Sequence, residues 1–239
     1  MPGLLVTFEG GEGSGKSTQI ERLAGWLRAR GADPVVTREP GGTPLAEAIR
    51  MLLLDASSAA APELLDSLAA RFRDPHAHAA PALDPRPGAR AEALLLEAAR
   101  ADLVEKLIRP ALAAGRIVLC DRYDDSTLAY QGGGRGLDPD LLATLNRFAT
   151  GGLAPDLTFL FDLDPDEGLR RRSDAGPGNR LDREPAEFHR RVRAGFLELA
   201  RREPDRIVVL DARAPVEALE SSVRDAFQAL ERRAGAGSA

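Results

Sequence analysis

Five short apolar runs recur along the chain, and each is continuous rather than alternating: Leu4–Phe8, Pro34–Thr37, Arg116–Cys120, Leu157–Asp162 and Arg206–Leu210. A strand that is apolar at successive positions must be covered on both faces. Helical patterns separate the runs at Thr18–Arg30, Glu92–Ala114, Asp138–Ala149, Ala186–Arg201 and Val216–Arg232. Strand and helix in alternation predict a three-layer α/β fold, with a central five-stranded parallel sheet flanked by helices. Ligands of such a sheet lie at the carboxyl ends of its strands. A chain of 239 residues can bury one sizeable core, so residues 1–233 are expected to form a single domain.

Composition removes several classes of function. No run of eighteen apolar residues occurs, which excludes a spanning helix. The opening MPGLLVTFEGG has no basic segment before its short apolar run, so no secretory signal is expected. The single cysteine, Cys120, rules out a disulfide framework and fits a reducing cytoplasm. A net charge of −5 disfavours polynucleotide binding, which calls for a basic face. Arginine supplies 30 of the 32 basic side chains, so the two lysines, Lys16 and Lys106, stand out.

Lys16 lies in Gly10-Gly11-Glu12-Gly13-Ser14-Gly15-Lys16-Ser17-Thr18, directly after the first apolar run and before a helical pattern. The stretch fits G-x-x-x-x-G-K-[ST], in the context that its chemistry requires. Glycines let successive backbone N–H groups turn inward as an anion nest, and the helix adds its positive dipole end. Lys16 is placed to reach the β- and γ-phosphates of a nucleoside triphosphate, and the Ser17 hydroxyl to bind Mg²⁺. Glu12 would repel phosphate, so it must accept a hydrogen bond from a neutral donor such as a sugar hydroxyl, or pair with an arginine. A Mg²⁺-associated acid belongs at another strand end, where Asp121, Asp162 and Asp211 are candidates. Asp121 is preferred because Arg122 and Tyr123 follow it.

The remaining strand ends carry acceptor-side chemistry. Arg38-Glu39-Pro40-Gly41-Gly42-Thr43 follows the second run, and a helical pattern at Leu45–Leu54 carries Arg50. DRYDDSTLAYQGGGRG follows the third run, and NRLDRE and VVLDA come later. In this order, behind a phosphate loop containing Glu12, these stretches resemble the bacterial thymidylate kinases, which have the P-loop nucleoside monophosphate kinase fold. The resemblance covers nearly the whole chain outside residues 56–90, which look like an insertion.

That resemblance implies ATP-dependent phosphorylation of dTMP to dTDP, with Mg²⁺, in a cytoplasmic homodimer. It implies that Arg50 and Arg122 hold the dTMP phosphate, with Asp121 in the metal shell. Glu12 would accept from the sugar 3′-hydroxyl, and Arg100 would reach the thymine edge. Thr127 and Gln131 fall where the family reads the base, Tyr130 beside the sugar C2′, and Glu39 on the monophosphate side. Leu96 stands where the family has a phenylalanine stacked on thymine, and Phe72 is the nearest ring by sequence that could substitute. Asp211-Ala212-Arg213 matches the loop near adenine.

Two segments interrupt the pattern. Residues 56–90 are rich in proline and alanine, with a short helix expected at Glu63–Phe72 and with His76 and His78 read as solvated loop residues. From Arg170 to Arg193 there are eight arginines against four acids, around a loop expected at Ser173–Asn179. The resemblance makes residues 170–183 a lid that supplies a catalytic arginine. Arg170, Arg172, Arg180 and Arg183 are its candidates, with Arg180 and Arg183 flanking the family-like Leu181-Asp182. Residues 234–239 are expected to be a disordered tail. Two other functions share the phosphate loop: a kinase for a different small acceptor, and a nucleotide-driven switch. Arg50, Arg100 and Arg122 argue against the switch, which needs no second anion site.

Overall fold

The structure is a computed structural model that describes residues 3–54, 87–174, 176 and 178–236. Most of the stretch read as an insertion lies outside these residues, including the helix expected at Glu63–Phe72, with Phe72, and His76 and His78.

All five expected strands form, and they are parallel. They are β1 (Leu4–Gly10), β2 (Val35–Arg38), β3 (Ile117–Asp121), β4 (Leu157–Asp162) and β5 (Ile207–Asp211), in the order β2-β3-β1-β4-β5. Strand β1 is central and buried along its whole length. Its register pairs Phe8 with Asp121 of β3 and with Phe159 of β4, which brings three strand ends to one edge.

The helices cover both faces. On one, α1 (Lys16–Ala29) and α9 (Val216–Ala236) pack Leu23, Leu27, Val223 and Phe227 against Phe8, Phe159 and Phe161. Each fully buried ring or leucine of this kind contributes about 1.5–3 kcal/mol over leaving it exposed. On the other face lie α2 (Pro44–Leu54), α3 (Ala89–Leu103), α4 (Arg109–Ala113) and α8 (Ala186–Arg202). Leu103, Val104 and Ile108 meet Leu5 and Val118 there, while Phe188, Val192 and Phe196 of α8 meet Leu160.

Several elements depart from the sequence expectation. The helix expected at Glu92–Ala114 is broken by a π-helical turn, Val104–Ile108, between α3 and α4. After β3 the chain forms α5 (Asp124–Thr127) and a π-helical stretch, Leu128–Gly134. Next comes α6 (Pro139–Thr150), whose first turn is capped by Asp138 accepting from Asp140 N at 2.9 Å. The arginine-rich stretch begins inside a helix, α7 (Pro165–Asp174), so Ser173 and Asp174 close that helix rather than open a loop. Helix α9 continues to Ala236, past the boundary placed at Arg233, and 237–239 lie outside the described residues.

Candidate functional site

The loop between β1 and α1 has the strained backbone that its glycines predict. Gly13 and Gly15 take φ of 63° and 88°, values that favour a residue without Cβ. Helix α1 has no side-chain cap, so its first N–H groups are left for the loop's ligand. The Lys16 ammonium is folded back on the loop. It donates to Gly10 O at 3.1 Å, to Gly11 O at 2.8 Å and to Ser14 Oγ at 3.3 Å. Burial lowers its pKa, as does Arg122 nearby.

Beside it, the Ser17 hydroxyl donates to Asp121 Oδ2 at 3.1 Å. Asp121 Oδ1 is buried with no hydrogen-bond partner among the described residues. A hydroxyl and an unmatched carboxylate oxygen at the mouth of an anion nest fit Mg²⁺, which takes one or two protein oxygens and the rest from phosphate and water. No cluster of three or more His, Cys, Asp or Glu able to hold a metal occurs among the described residues.

Arg122 follows at once, with a φ of 70°, the only positive value for a non-glycine among the described residues. Its guanidinium donates to Glu12 Oε1 at 2.8 Å and to Gly10 O at 3.0 Å, and lies over the Tyr130 ring. Of the two roles open to Glu12 from sequence, pairing with an arginine is therefore realised. Tyr130 Oη also donates to Glu12 Oε1, at 2.9 Å. Burial by itself would push the Glu12 carboxyl up, but Arg122 and Lys16 oppose it and bring the pKa down to about 2. Ionised Glu12 is acceptor-only, which also suits a sugar hydroxyl.

The turn that holds Arg122 is fastened by a residue the sequence reading passed over. Glu9, fully buried in β1, accepts from Tyr123 N at 2.7 Å and from Ser126 Oγ at 2.6 Å. The signal was present: an acid inside a continuous apolar strand. Burial pushes its carboxyl up from 4.5 to about 8, with Asp125 adding to the shift and Arg122 opposing it. The folded state thus holds this proton above the pH at which the unfolded chain releases it, so Glu9's stabilising contribution falls as pH rises from 4.5 to about 8. Glu9→Gln, which cannot ionise, is expected to gain stability on the wild type across that interval in urea melts. A difference that stays constant with pH would contradict this.

A cleft of about 510 Å³ opens between the phosphate loop and the acceptor side. Gly13 to Thr18 line one end, while Glu39, Arg50, Leu96, Arg100, Thr127 and Gln131 line the other, with Glu12, Asp121, Arg122 and Tyr130 between. Arg50 donates to Pro40 O at 3.0 Å. The acceptor end is more internally engaged than the sequence suggests. Arg100 is buried and donates to Glu39 Oε2 at 2.9 Å, Glu97 Oε1 at 2.8 Å, Thr127 Oγ1 at 3.0 Å, Asn146 Oδ1 at 2.8 Å and Tyr123 O at 3.0 Å. Its guanidinium thus ties together the walls of the cleft at the end it lines. Burial raises the Glu39 carboxyl to about 7, against the pull of Arg100. Gln131 Nε2 donates to Glu92 Oε1 at 2.8 Å.

Of the lid candidates, Arg172 lines the cleft, whereas Arg180 and Arg183 are engaged elsewhere. Arg180 donates to Leu53 O at 2.8 Å and pairs with Glu92, and Arg183 is directed at Gly178 O. Neither lines the cleft; the arginines of this region that do are Arg171 and Arg172, from α7. Glu92 draws Arg180 away because it is a buried acid that also pairs with Arg135. Arg213, expected near adenine, pairs with Asp211 at 2.7 Å.

A parallel sheet in this order, with a phosphate loop on its central strand and an arginine-lined acceptor cleft, defines a P-loop nucleoside monophosphate kinase fold. The family model for thymidylate kinase matches residues 8–85 and 82–223, and so runs through most of the stretch read as an insertion. The thymidylate kinase of Thermomicrobium roseum is 50% identical, over 92% of this chain and 91% of the relative. That of Desulfovibrio desulfuricans is 45% identical over 98% of this chain and 99% of its own length. Among solved structures, the crystal structure of thymidylate kinase from Ehrlichia chaffeensis aligns with a TM-score of 0.67 at 31% identity, covering 95% of this chain and 99% of that one. The chain belongs to the thymidylate kinase family. No helix among the described residues is long and apolar enough to cross a membrane.

Proposed function

We propose that the protein transfers the γ-phosphoryl group of ATP to the 5′-phosphate of dTMP, giving ADP and dTDP for dTTP supply in the cytoplasm. The observation that carries this is a single cleft with the phosphate loop at one end and Arg50, Leu96, Thr127 and Gln131 at the other. A nucleotide switch has no use for that second end.

The acceptor is already an anionic oxygen, so no strong general base is required. The chain's own contribution is alignment and charge. Lys16 exchanges its loop carbonyls for phosphate oxygens. Arg122, fixed by Gly10 O and Glu12, presents its guanidinium between the two ends of the cleft. Ser17 and Asp121 are the residues that would hold Mg²⁺, which neutralises charge on the phosphates when bound. Tyr130, backed by the edges of Phe188 and Phe196, forms a rigid wall beside the sugar. Arg172, one of the four lid candidates, takes the lid role together with Arg171. Two exposed apolar residues seven apart on α6, Leu141 and Phe148, lie on one helical face and support a homodimer.

A coupled ADP-release assay across nucleoside monophosphates tests the assignment. The expected result is the highest kcat/KM with dTMP and a marked loss with dUMP, which lacks the 5-methyl group. ADP release that is indifferent to any acceptor would overturn it.

A further inference from the structure

Helix α7 reads PDEGLRRRSD, and Gly168 is its only buried residue. A helix that buries one glycine and no apolar side chain is not held by a hydrophobic face. Its closest approach to the phosphate loop is backbone to backbone. A Cβ on Gly168 would lie 2.4 Å from Glu12 O, and a Cβ on Gly13 would lie 2.2 Å from Gly168 O. Two glycines on different elements therefore permit an approach that any side chain would block. Gly13 also has a backbone reason to be glycine, its φ of 63°. Gly168 has none. It sits inside a helix, outside the set of positive-φ residues, where alanine would be favoured by about 1 kcal/mol.

We infer that Gly168 is a positioning residue for the transfer reaction, the docking point that seats α7 on the phosphate loop so that Arg171 and Arg172 line the cleft. Those two arginines stand three and four residues further on, one helical turn along the same face. Arg171 Cβ would lie 3.1 Å from a Cβ on Gly13, which places this part of α7 directly over the loop. Both guanidiniums are steadied at that height. Arg171 donates to Ala212 O at 3.0 Å and to Glu167 Oε1 at 2.5 Å, and Arg172 Nε lies 3.3 Å from Asp182 Oδ2. An alanine at 168 must retreat by roughly an ångström to reach an ordinary 3.4 Å contact with Glu12 O, and misplacement on that scale costs on the order of 100-fold in rate.

The inference rests on the proposed phosphoryl transfer, and Gly168→Ala separates the two. The expected result is a kcat lower by about 100-fold and a KM for dTMP within about twofold of wild type, with a modestly lowered melting temperature because the clash with Glu12 O outweighs alanine's helix preference. A crystal structure of the variant should show α7 displaced from Gly13. Ser222→Ala, on the exposed face of α9 and away from the cleft, should leave kcat unchanged. Wild-type kcat in Gly168→Ala, an undisplaced helix or failure to fold would each overturn the inference. A wild-type protein inactive on dTMP would instead sink the proposed function, while the displacement of α7 is still read from the variant's structure.

Discussion

Lys16→Ala is expected to lower kcat by about 10³-fold or more in a coupled ADP-release assay, with the fold intact by circular dichroism. One fixed donor at a site of developing charge is worth about 10²–10³. Lys16 combines that role with most of the cationic charge inside the loop. Its ammonium donates to Gly10 O, Gly11 O and Ser14 Oγ, all within its own loop. These bonds hold the side chain at the mouth of the nest, ready to exchange carbonyls for phosphate oxygens. Lys16→Arg is expected to rescue little, because a planar fork does not fit where a compact ammonium donates to three oxygens. Turnover near wild type in either variant would remove the loop from the reaction. The 30-to-2 excess of arginine over lysine makes the point from composition, since one of the two surviving lysines occupies this position.

The sheet was legible because each strand is apolar at consecutive positions, a pattern that only a twice-covered strand tolerates. Strand β4 falls at Leu157–Asp162 as read. The phosphate loop was legible because its glycines are demanded by backbone conformation as well as by the ligand. Helix α7 was not legible, because its ten residues bury no apolar face and so carry no hydrophobic period. The π-helical stretch Leu128–Gly134 was hidden by three consecutive glycines, of which Gly133 and Gly134 pack against α8.

The site was legible at the level of strand ends and opaque at the level of partners. Arg100 was placed at the cleft by resemblance, yet the acids that surround it, Glu39 and Glu97, lie 61 and 3 residues away in sequence. Arg180 was put forward with Arg183 because the two flank a family-like dipeptide. Only the fold reveals that Glu92, 88 residues earlier, captures Arg180. Asp125 and Arg206 form a partly buried bidentate pair across 81 residues that no spacing could suggest. Strand ends are set locally, whereas charge partners are set by topology.

Arg122→Ala is expected to cost about 10³-fold in kcat/KM for dTMP and to destabilise the protein, and Arg122→Gly separates the two effects. The guanidinium bridges Glu12 Oε1 and Gly10 O, and removing it leaves an ionised, largely buried carboxylate with Tyr130 Oη as its remaining hydrogen-bond donor. Glu12's depressed pKa means its contribution is present above pH 4.5 and lost as pH falls toward about 2. Without Arg122, burial is opposed only by weaker partners, so that acid-side loss begins at higher pH in the variant. The backbone contributes separately. A non-glycine residue at a φ of 70° stores about 1–3 kcal/mol, and alanine keeps that strain while glycine releases it. Arg122→Gly should therefore be the more stable of the two in urea melts and equally inactive. Equal stability would mean that the turn carries no strain, and recovered activity in the glycine variant would mean that the guanidinium is not what the reaction uses. Arg122→Lys should keep charge but not the two-point hold on Gly10 and Glu12, leaving kcat/KM between wild type and alanine. That ordering follows if the left-handed turn exists to aim one fork of donors from a strand end into the cleft.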